Sequence, residues 1–211
     1  MTLSNQPVDI TEHWEDVYKT KCFTDASWYK SDPQKSFDLI VGAASNSLGR
    51  VIDIGGGQSF LVDLLLDAGF EHVAVLDISQ TAIEATKARL GERASQVEWI
   101  VADITRRDSL GDFDVWHDRA VFHFVTDPEA RRHYVELLKR SLPIGGYFVV
   151  GTFAKGGPDT CSGLPICQYD AATMQTELGP SFEPVECSEY LHTTPTGKPQ
   201  QFFFGTYKRV R

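Results

Sequence analysis

Three glycines between two acids hold the densest chemistry in this 211-residue chain. The stretch Val51-Ile-Asp-Ile-Gly-Gly-Gly-Gln-Ser59 reads as a short apolar strand, a turn at Gly55, Gly56 and Gly57, and the start of a helix. Residues 59–68 then carry a helical apolar pattern, with Phe60, Leu61, Leu64, Leu65 and Ala68 recurring. A strand that runs through glycines into a helix brings backbone close to a ligand and aims helix N–H groups at its polar end. Asp53 stands two residues before the first glycine. A second acid, Asp77, closes the next apolar run, residues 72–76. It follows at about the 20-residue spacing with which an acid grips a ribose diol. An ordinary strand–helix turn is the plain alternative, but glycines, two strand-end acids and a following strand together favour a nucleoside site. A nicotinamide cofactor would want G-x-G-x-x-G, and its third glycine position holds Phe60 here.

Asp53-Ile-Gly-Gly-Gly-Gln-Ser resembles motif I of the class I S-adenosylmethionine-dependent methyltransferases, D/E-x-G-x-G-x-G, with Ser59 in place of the last glycine. A serine there can cap the helix that follows. The resemblance spans residues 48–155 and speaks to the cofactor more than to the substrate. It implies S-adenosylmethionine as cofactor. The expected fold is α/β, a Rossmann-like sheet of seven strands, mostly parallel with an antiparallel last strand, with helices on both faces. Asp77 and Ile78, at the second strand's end, then belong to the ribose. Asp103, ending the third strand (residues 96–101), looks like the family's adenine site, with Ile104 against the ring; an aspartate capping a loop is the other reading. The same fold puts the methyl group near the end of a fourth strand, residues 113–117. Asp118, opening an expected helix, is assigned there to the cofactor's methionine end. His123 is a candidate general base, because an ordinary histidine pKa of about 6.5 suits neutral pH; a structural histidine on a helix face is the alternative. His117 reads as a strand residue packed behind them.

The other elements must hold these residues in place. Residues 11–21 pattern as an amphipathic helix capped by Thr11, with Trp14, Val17 and Tyr18 on one face; Trp14 reads as packing. A second helix follows Pro33, with Phe37, Leu39, Ile40 and Ala44 inward. Between them lie Trp28 and Tyr29. The order His13-Trp14, Tyr18, Ser27-Trp28-Tyr29 and Pro33 is similar to the N-terminal flap of thiopurine and small-thiol methyltransferases. That similarity implies a segment closing over the sulfonium, with Trp28 against the cofactor and Tyr29 at the reacting centre. Ser79 caps a helix over 80–90, and Asp127-Pro128 opens another through Leu142. A Pro-x-Gly-Gly turn at 143–146 leads into a fifth strand, 147–153. Residues 154–168 suit a loop over the site, a helix follows through Leu178, and residues 182–191 and 200–207 form a hairpin. The chain is read as one domain: a helical flap over 1–47, a cofactor core over 48–155, and a loop, helix and hairpin over 156–211.

Composition narrows the partners. A net charge of −9 argues against nucleic acid, which needs a basic face. No apolar run is long enough to span a bilayer, the first residues lack signal-peptide features, and a cytoplasmic address is the expectation. The four cysteines have no zinc-like spacing and read as free thiols, with no metal site. No paired-carboxylate motif or unmistakable base is visible. That favours a soft, acidic nucleophile, because a few per cent of a thiol is already thiolate at pH 7. A small-molecule acceptor, best a thiol or sulfide, is therefore expected. Protein lysine N-methylation and a non-catalytic S-adenosylmethionine-binding protein are the competing readings.

Overall fold

The computed structural model describes residues 9–20, 33–44, 48–194 and 197–211. Alternation along the strands decides the architecture. In β1 (Val51–Ile54), β2 (Val73–Asp77), β4 (Val115–Arg119) and β5 (Tyr147–Phe153), Val51, Val73, Val75, Val115 and Val149 face one core. Their neighbours Ile52, Ile54, Leu76, Trp116, Phe148 and Val150 face another. Both faces are thus apolar, the pattern of a sheet covered on two sides. Each fully buried Val, Leu or Ile contributes about 1.5–3 kcal/mol.

Helices α2 (Gln34–Ala43), α3 (Leu61–Asp67) and α4 (Gln80–Leu90) cover the first face. Helices α5 (Pro128–Ser141) and α6 (Ala171–Leu178) cover the second. Strand order is β3-β2-β1-β4-β5-β9-β8, with β3 (Val97–Val101), β8 (Phe182–Thr193) and β9 (Pro199–Arg209) completing seven strands. The first five run parallel; β9 is antiparallel to both β5 and β8. The expected mostly parallel sheet with an antiparallel end is the fold observed. Strand order reverses between β1 and β4, where such sheets bind ligands at their carboxyl ends.

The caps follow local chemistry. Ser79 accepts from the Ala82 N–H (3.1 Å) and Asp127 from that of Ala130 (2.8 Å), as expected. Asp170 and Thr173 form a reciprocal capping box on α6. The first helix, α1 (Ile10–Thr20), corrects one expectation: Asp9, not Thr11, accepts from its first N–H groups. Strand β4 also runs further than expected. It takes in Asp118 and Arg119 and is followed by Ala120, a non-glycine residue with φ +68°. The expected helix at 118–124 is instead a short 3-10 turn, Phe122–Phe124. The loop at 154–168 carries a small ribbon, β6 (Thr160–Cys161) against β7 (Leu164–Pro165). Among the described residues no helix is long and apolar enough to cross a membrane.

Candidate active site

A cavity of about 340 Å³ opens over the carboxyl ends of β1, β2 and β4. Its floor is set by the glycine turn. Gly55 has φ +68°, and a Cβ there would overlap a methyl of Val121. Gly57 has φ +39°, and its Cβ would sit 2.7 Å from the Tyr18 hydroxyl and 2.8 Å from Asp77 Oδ2. Gly56 lies as tightly against Asp53 and Val75. The N–H groups of Gly55 and Gly56 reach the Leu76 carbonyl (2.7 and 3.2 Å), and Thr86 Oγ1 donates to Gly57 O (2.6 Å). The turn is therefore locked to β2 and α4 before any ligand arrives.

Asp77 ends β2 on the cavity wall, beside Ile78. Its carboxylate accepts the Ser79 N–H at 2.8 Å. Burial, opposed by hydrogen bonds from Ser79 and Gly57 and assisted by the charges of Asp53 and Glu15, raises its pKa to about 7. A buried carboxylate held in this way has unspent affinity for hydroxyl donors. Asp103 and Ile104 line the same wall. Asp103 also does what the plainer reading expected, capping the short turn that follows by accepting from Thr105 N (2.9 Å) and Oγ1 (2.7 Å). Its Oδ2 lies 3.2 Å from the exposed Arg106.

The opposite wall differs. Arg119 leaves the end of β4 with its guanidinium 5.2 Å from the Phe202 ring centroid; burial lowers its pKa to about 10. His123 is fully buried on this wall and stacks on Phe153 (5.0 Å, 17°). Neither of its ring nitrogens has a hydrogen-bond partner. Burial, and then the Arg119 charge, push its pKa down to about 3. The expected titration near neutrality is thus corrected: His123 is a neutral imidazole.

Two assigned residues lie elsewhere. Asp118 is wholly buried and does not border the cavity. It accepts Tyr134 OH (2.5 Å) and the N–H groups of Val121 (3.0 Å) and Phe122 (3.1 Å), while Trp116 Nε1 donates to Tyr134 (2.9 Å). That relay consumes the carboxylate, so its assignment to the cofactor is replaced by a structural one. Asp53 bonds His117 Nδ1 (2.6 Å) and, with Gly56, Ser59 and Arg119, borders a separate cavity of about 50 Å³. Trp28 and Tyr29 lie outside the described residues.

Sequence reading took Trp14 as packing and named Tyr18 only on a helix face and within the flap pattern, giving neither a place in the site. Both line the cavity from α1, which Glu15 ties to α4 by accepting from Thr81 Oγ1 (2.5 Å) and N–H (3.2 Å). Aromatics at i and i+4 on a helix preceding the sheet were the available signal. Among the described residues no group of three His, Cys, Asp or Glu could hold a metal ion.

A glycine turn at the switch point of this sheet, with acids on the next two strand ends, defines a nucleoside-type site. Residues 51–146 match the family described as "Methyltransferase domain". The match covers a little under half of the chain, and the seven-stranded sheet around it is the fold of the class I S-adenosylmethionine-dependent methyltransferases. Several solved structures share the fold. A protein from work on the conversion of a disulfide bond into a thioacetal group during echinomycin biosynthesis has TM-score 0.76 at 18% identity, over 95% of this chain and 92% of that one. N-methyltransferase NodS from Bradyrhizobium japonicum WM9, in complex with S-adenosyl-L-homocysteine, has TM-score 0.72 at 17% identity, over 96% and 100%. A SAM-dependent methyltransferase from Anabaena variabilis has TM-score 0.73 at 16% identity, over 99% and 98%. In sequence, EEF1A lysine methyltransferase 2 of Danio rerio is 29% identical over 107 residues, 47% of this chain. Those residues are 46% of the relative, so the chain spans about half the length of the curated relative it matches.

Proposed function

We propose that this protein moves the methyl group of S-adenosylmethionine to a small-molecule acceptor, with a sulfur nucleophile as the best acceptor. One observation carries the reading: a single cavity joins the glycine turn and Asp77 to Arg119, His123 and a wall of aromatic rings. The residues present suit the cofactor. A Cβ at any of the three glycines would fill the cradle or press on its acids. Asp77 accepts the ribose hydroxyls, Ile78 and Ile104 flank the nucleoside, and Asp103 accepts from the adenine amine. Asp53 and Gly56 hold the amino-acid end through the smaller cavity. When bound, S-adenosylmethionine supplies an electrophilic methyl, which accepts the acceptor's electron pair as its bond to the sulfonium breaks and leaves S-adenosylhomocysteine.

The chain's task is then to hold a nucleophile in line and exclude water. Such positioning supplies up to about 7–11 kcal/mol in the best cases. His123 serves this as a neutral hydrogen-bonding group at the reacting centre. With a pKa of about 3 it cannot take a proton efficiently near pH 7. A thiol does not need it to, because the thiolate is already present. The structural relative concerned with disulfide-to-thioacetal conversion is in keeping with sulfur chemistry.

The match to a lysine methyltransferase supports a second reading, N-methylation of a protein lysine. An ammonium must first lose a proton, and the neutral imidazole is poorly suited to remove it. Transfer of a radiolabelled methyl group to pooled thiols, to amines and to EEF1A separates the readings. Label in the thiol pool is expected. Label confined to a protein lysine would establish the second reading, and S-adenosylhomocysteine binding without any transfer would mean a non-catalytic protein.

A further inference from the structure

Asp53 and His117 stand side by side towards the carboxyl ends of β1 and β4, where strand order reverses. One row across the sheet reads Val75, Asp53, His117, Val149. All four residues are buried, so two valines flank a desolvated polar pair. Asp53 Oδ1 and His117 Nδ1 are 2.6 Å apart. A carboxylate only accepts, so Nδ1 carries the hydrogen of this bond. The other carboxylate oxygen, Oδ2, lies beside Gly56, where an added Cβ would come within 2.7 Å of it. Asp53, His117 and Gly56 all border the smaller cavity. Stability is the simplest role for the pair. Yet burying an acid and a histidine costs desolvation that two more valines in this row would avoid. His117 Nε2 is also buried without a hydrogen-bond partner, a defect that a residue kept for stability alone has no reason to carry.

We propose that His117 is a positioning residue for the cofactor: by holding Oδ1 of Asp53, it directs Oδ2 to accept from an ammonium in the smaller cavity. On the methyl-transfer reading that ammonium belongs to the amino-acid end of S-adenosylmethionine, and the role of His117 rests on that reading. A carboxylate free to turn would lose rotational freedom as it gripped an ammonium. Pinned from the neighbouring strand, Asp53 has lost that freedom already. His117 thus touches no reacting atom. It acts through Asp53, and its effect is confined to molecules that carry the ammonium.

Wild type, His117→Asn and His117→Gln are titrated by calorimetry with S-adenosylhomocysteine and with its desamino analogue, in which hydrogen replaces the ammonium. Methylthioadenosine, which keeps the nucleoside and thioether but lacks the amino-acid end, reports on the rest of the site. An asparagine amide falls where Nδ1 stands, whereas the longer glutamine amide falls towards Nε2. Wild type should prefer S-adenosylhomocysteine over the desamino analogue by about tenfold to a hundredfold, as for a hydrogen bond between charged groups. His117→Gln should lose about tenfold of that preference. His117→Asn should keep most of it, and both variants should bind methylthioadenosine as wild type does. Equal binding of the two ligands to wild type would overturn the proposal, as would a preference unchanged in His117→Gln or lost equally in both variants. Methylthioadenosine affinity that falls in step with that of S-adenosylhomocysteine would also overturn it, because a general structural fault does that. Melting curves verify folding. If His117→Gln does not fold, the wild-type ratio and His117→Asn decide. Failure of S-adenosylhomocysteine and methylthioadenosine alike to bind wild type would sink the methyl-transfer reading, and the role of His117 with it. A wrong result in the preference alone sinks only the role of His117.

Discussion

The two ends of the cavity are built on opposite principles. At the glycine turn, backbone and short acidic side chains are fixed by hydrogen bonds to the next strand and helix, β2 and α4, and the space is kept open by missing Cβ atoms. At the Arg119 end, large side chains from β4, β5 and β9 converge from across the sheet, with Cys161 of β6 beside them. The first end is built from two successive strand–helix units bonded to each other, as a common cofactor requires. The second is specified only by tertiary packing, where a substrate preference can change without disturbing the fold. On the proposed function, recognition of the nucleoside and of the acceptor would then be separable in this molecule.

That separation can be broken most forcefully at Gly55. Gly55→Ala places a Cβ into Val121 and forces an alanine to φ +68°. Left-handed strain of about 1–2 kcal/mol adds to overpacking of about 1–3 kcal/mol. Chemical denaturation should show that combined loss, and calorimetry should show S-adenosylhomocysteine binding abolished. Normal stability and binding would mean that the turn is not the locked cradle described above.

Asp118→Ala sharpens the comparison, because it tests a residue next to the site in sequence but not in role. It strands the Tyr134 hydroxyl, the buried Phe122 N–H and the part-buried Val121 N–H, at about 1–3 kcal/mol for each buried group left unpaired. The folded fraction should still bind S-adenosylhomocysteine with unchanged affinity. Weakened affinity at full stability would return Asp118 to the cofactor site.

Asp77→Asn tests the nucleoside end by pH. The folded pKa of about 7 lies above the unfolded value of about 4. The native state therefore holds an extra proton between these values, and ligand-free stability falls as pH rises from about 4 to about 7. Hydroxyl donors require the carboxylate, so S-adenosylhomocysteine affinity should strengthen as pH rises through about 7. Asp77→Asn should lose both trends and about 1.5–3 kcal/mol of binding at pH 8. Parallel pH profiles for wild type and variant would exclude a role for the Asp77 carboxylate.

The smallest effect is expected at His123. Phenylalanine fits the stack on Phe153 and removes two unpaired buried nitrogens, so His123→Phe should melt at or above the wild-type temperature. Its kcat/KM should fall by about tenfold at most, less than the 10²–10⁴-fold cost of removing a general base. A larger loss, with cofactor binding intact, would show that the imidazole moves a proton.

The sequence made one end of the site readable and hid the other for physical reasons. Strand parity, the Ser79 and Asp127 caps and the glycine spacing all depend on residues adjacent along the chain, so β1, β2 and α4 could be anticipated, while the mostly parallel sheet came from the family resemblance. Asp118 misled because an acid at a strand end resembles a ligand. Its parity with Trp116, facing the α5 core, was the overlooked signal. The helix expected at 118–124 fails because Ala120 turns left-handed while Asp118 draws the Val121 and Phe122 N–H groups back. Trp14, Cys161 and Phe202 could not be grouped from sequence. They are far apart in the chain and meet only when α1, β6 and β9 fold together around one cavity.

The position of Trp14 gives the protein a built-in optical probe. Trp116 is wholly buried and bonded to Tyr134, and Trp99 donates its indole N–H to the Ala94 carbonyl. Trp14 instead stands on the cavity wall, edge-on to Phe124. A molecule entering beside it exchanges water for ring or methylene around the indole, which alters its emission. Fluorescence of the unlabelled protein, read against a Trp14→Phe control, can therefore follow filling of the cavity in real time, including by compounds that never react.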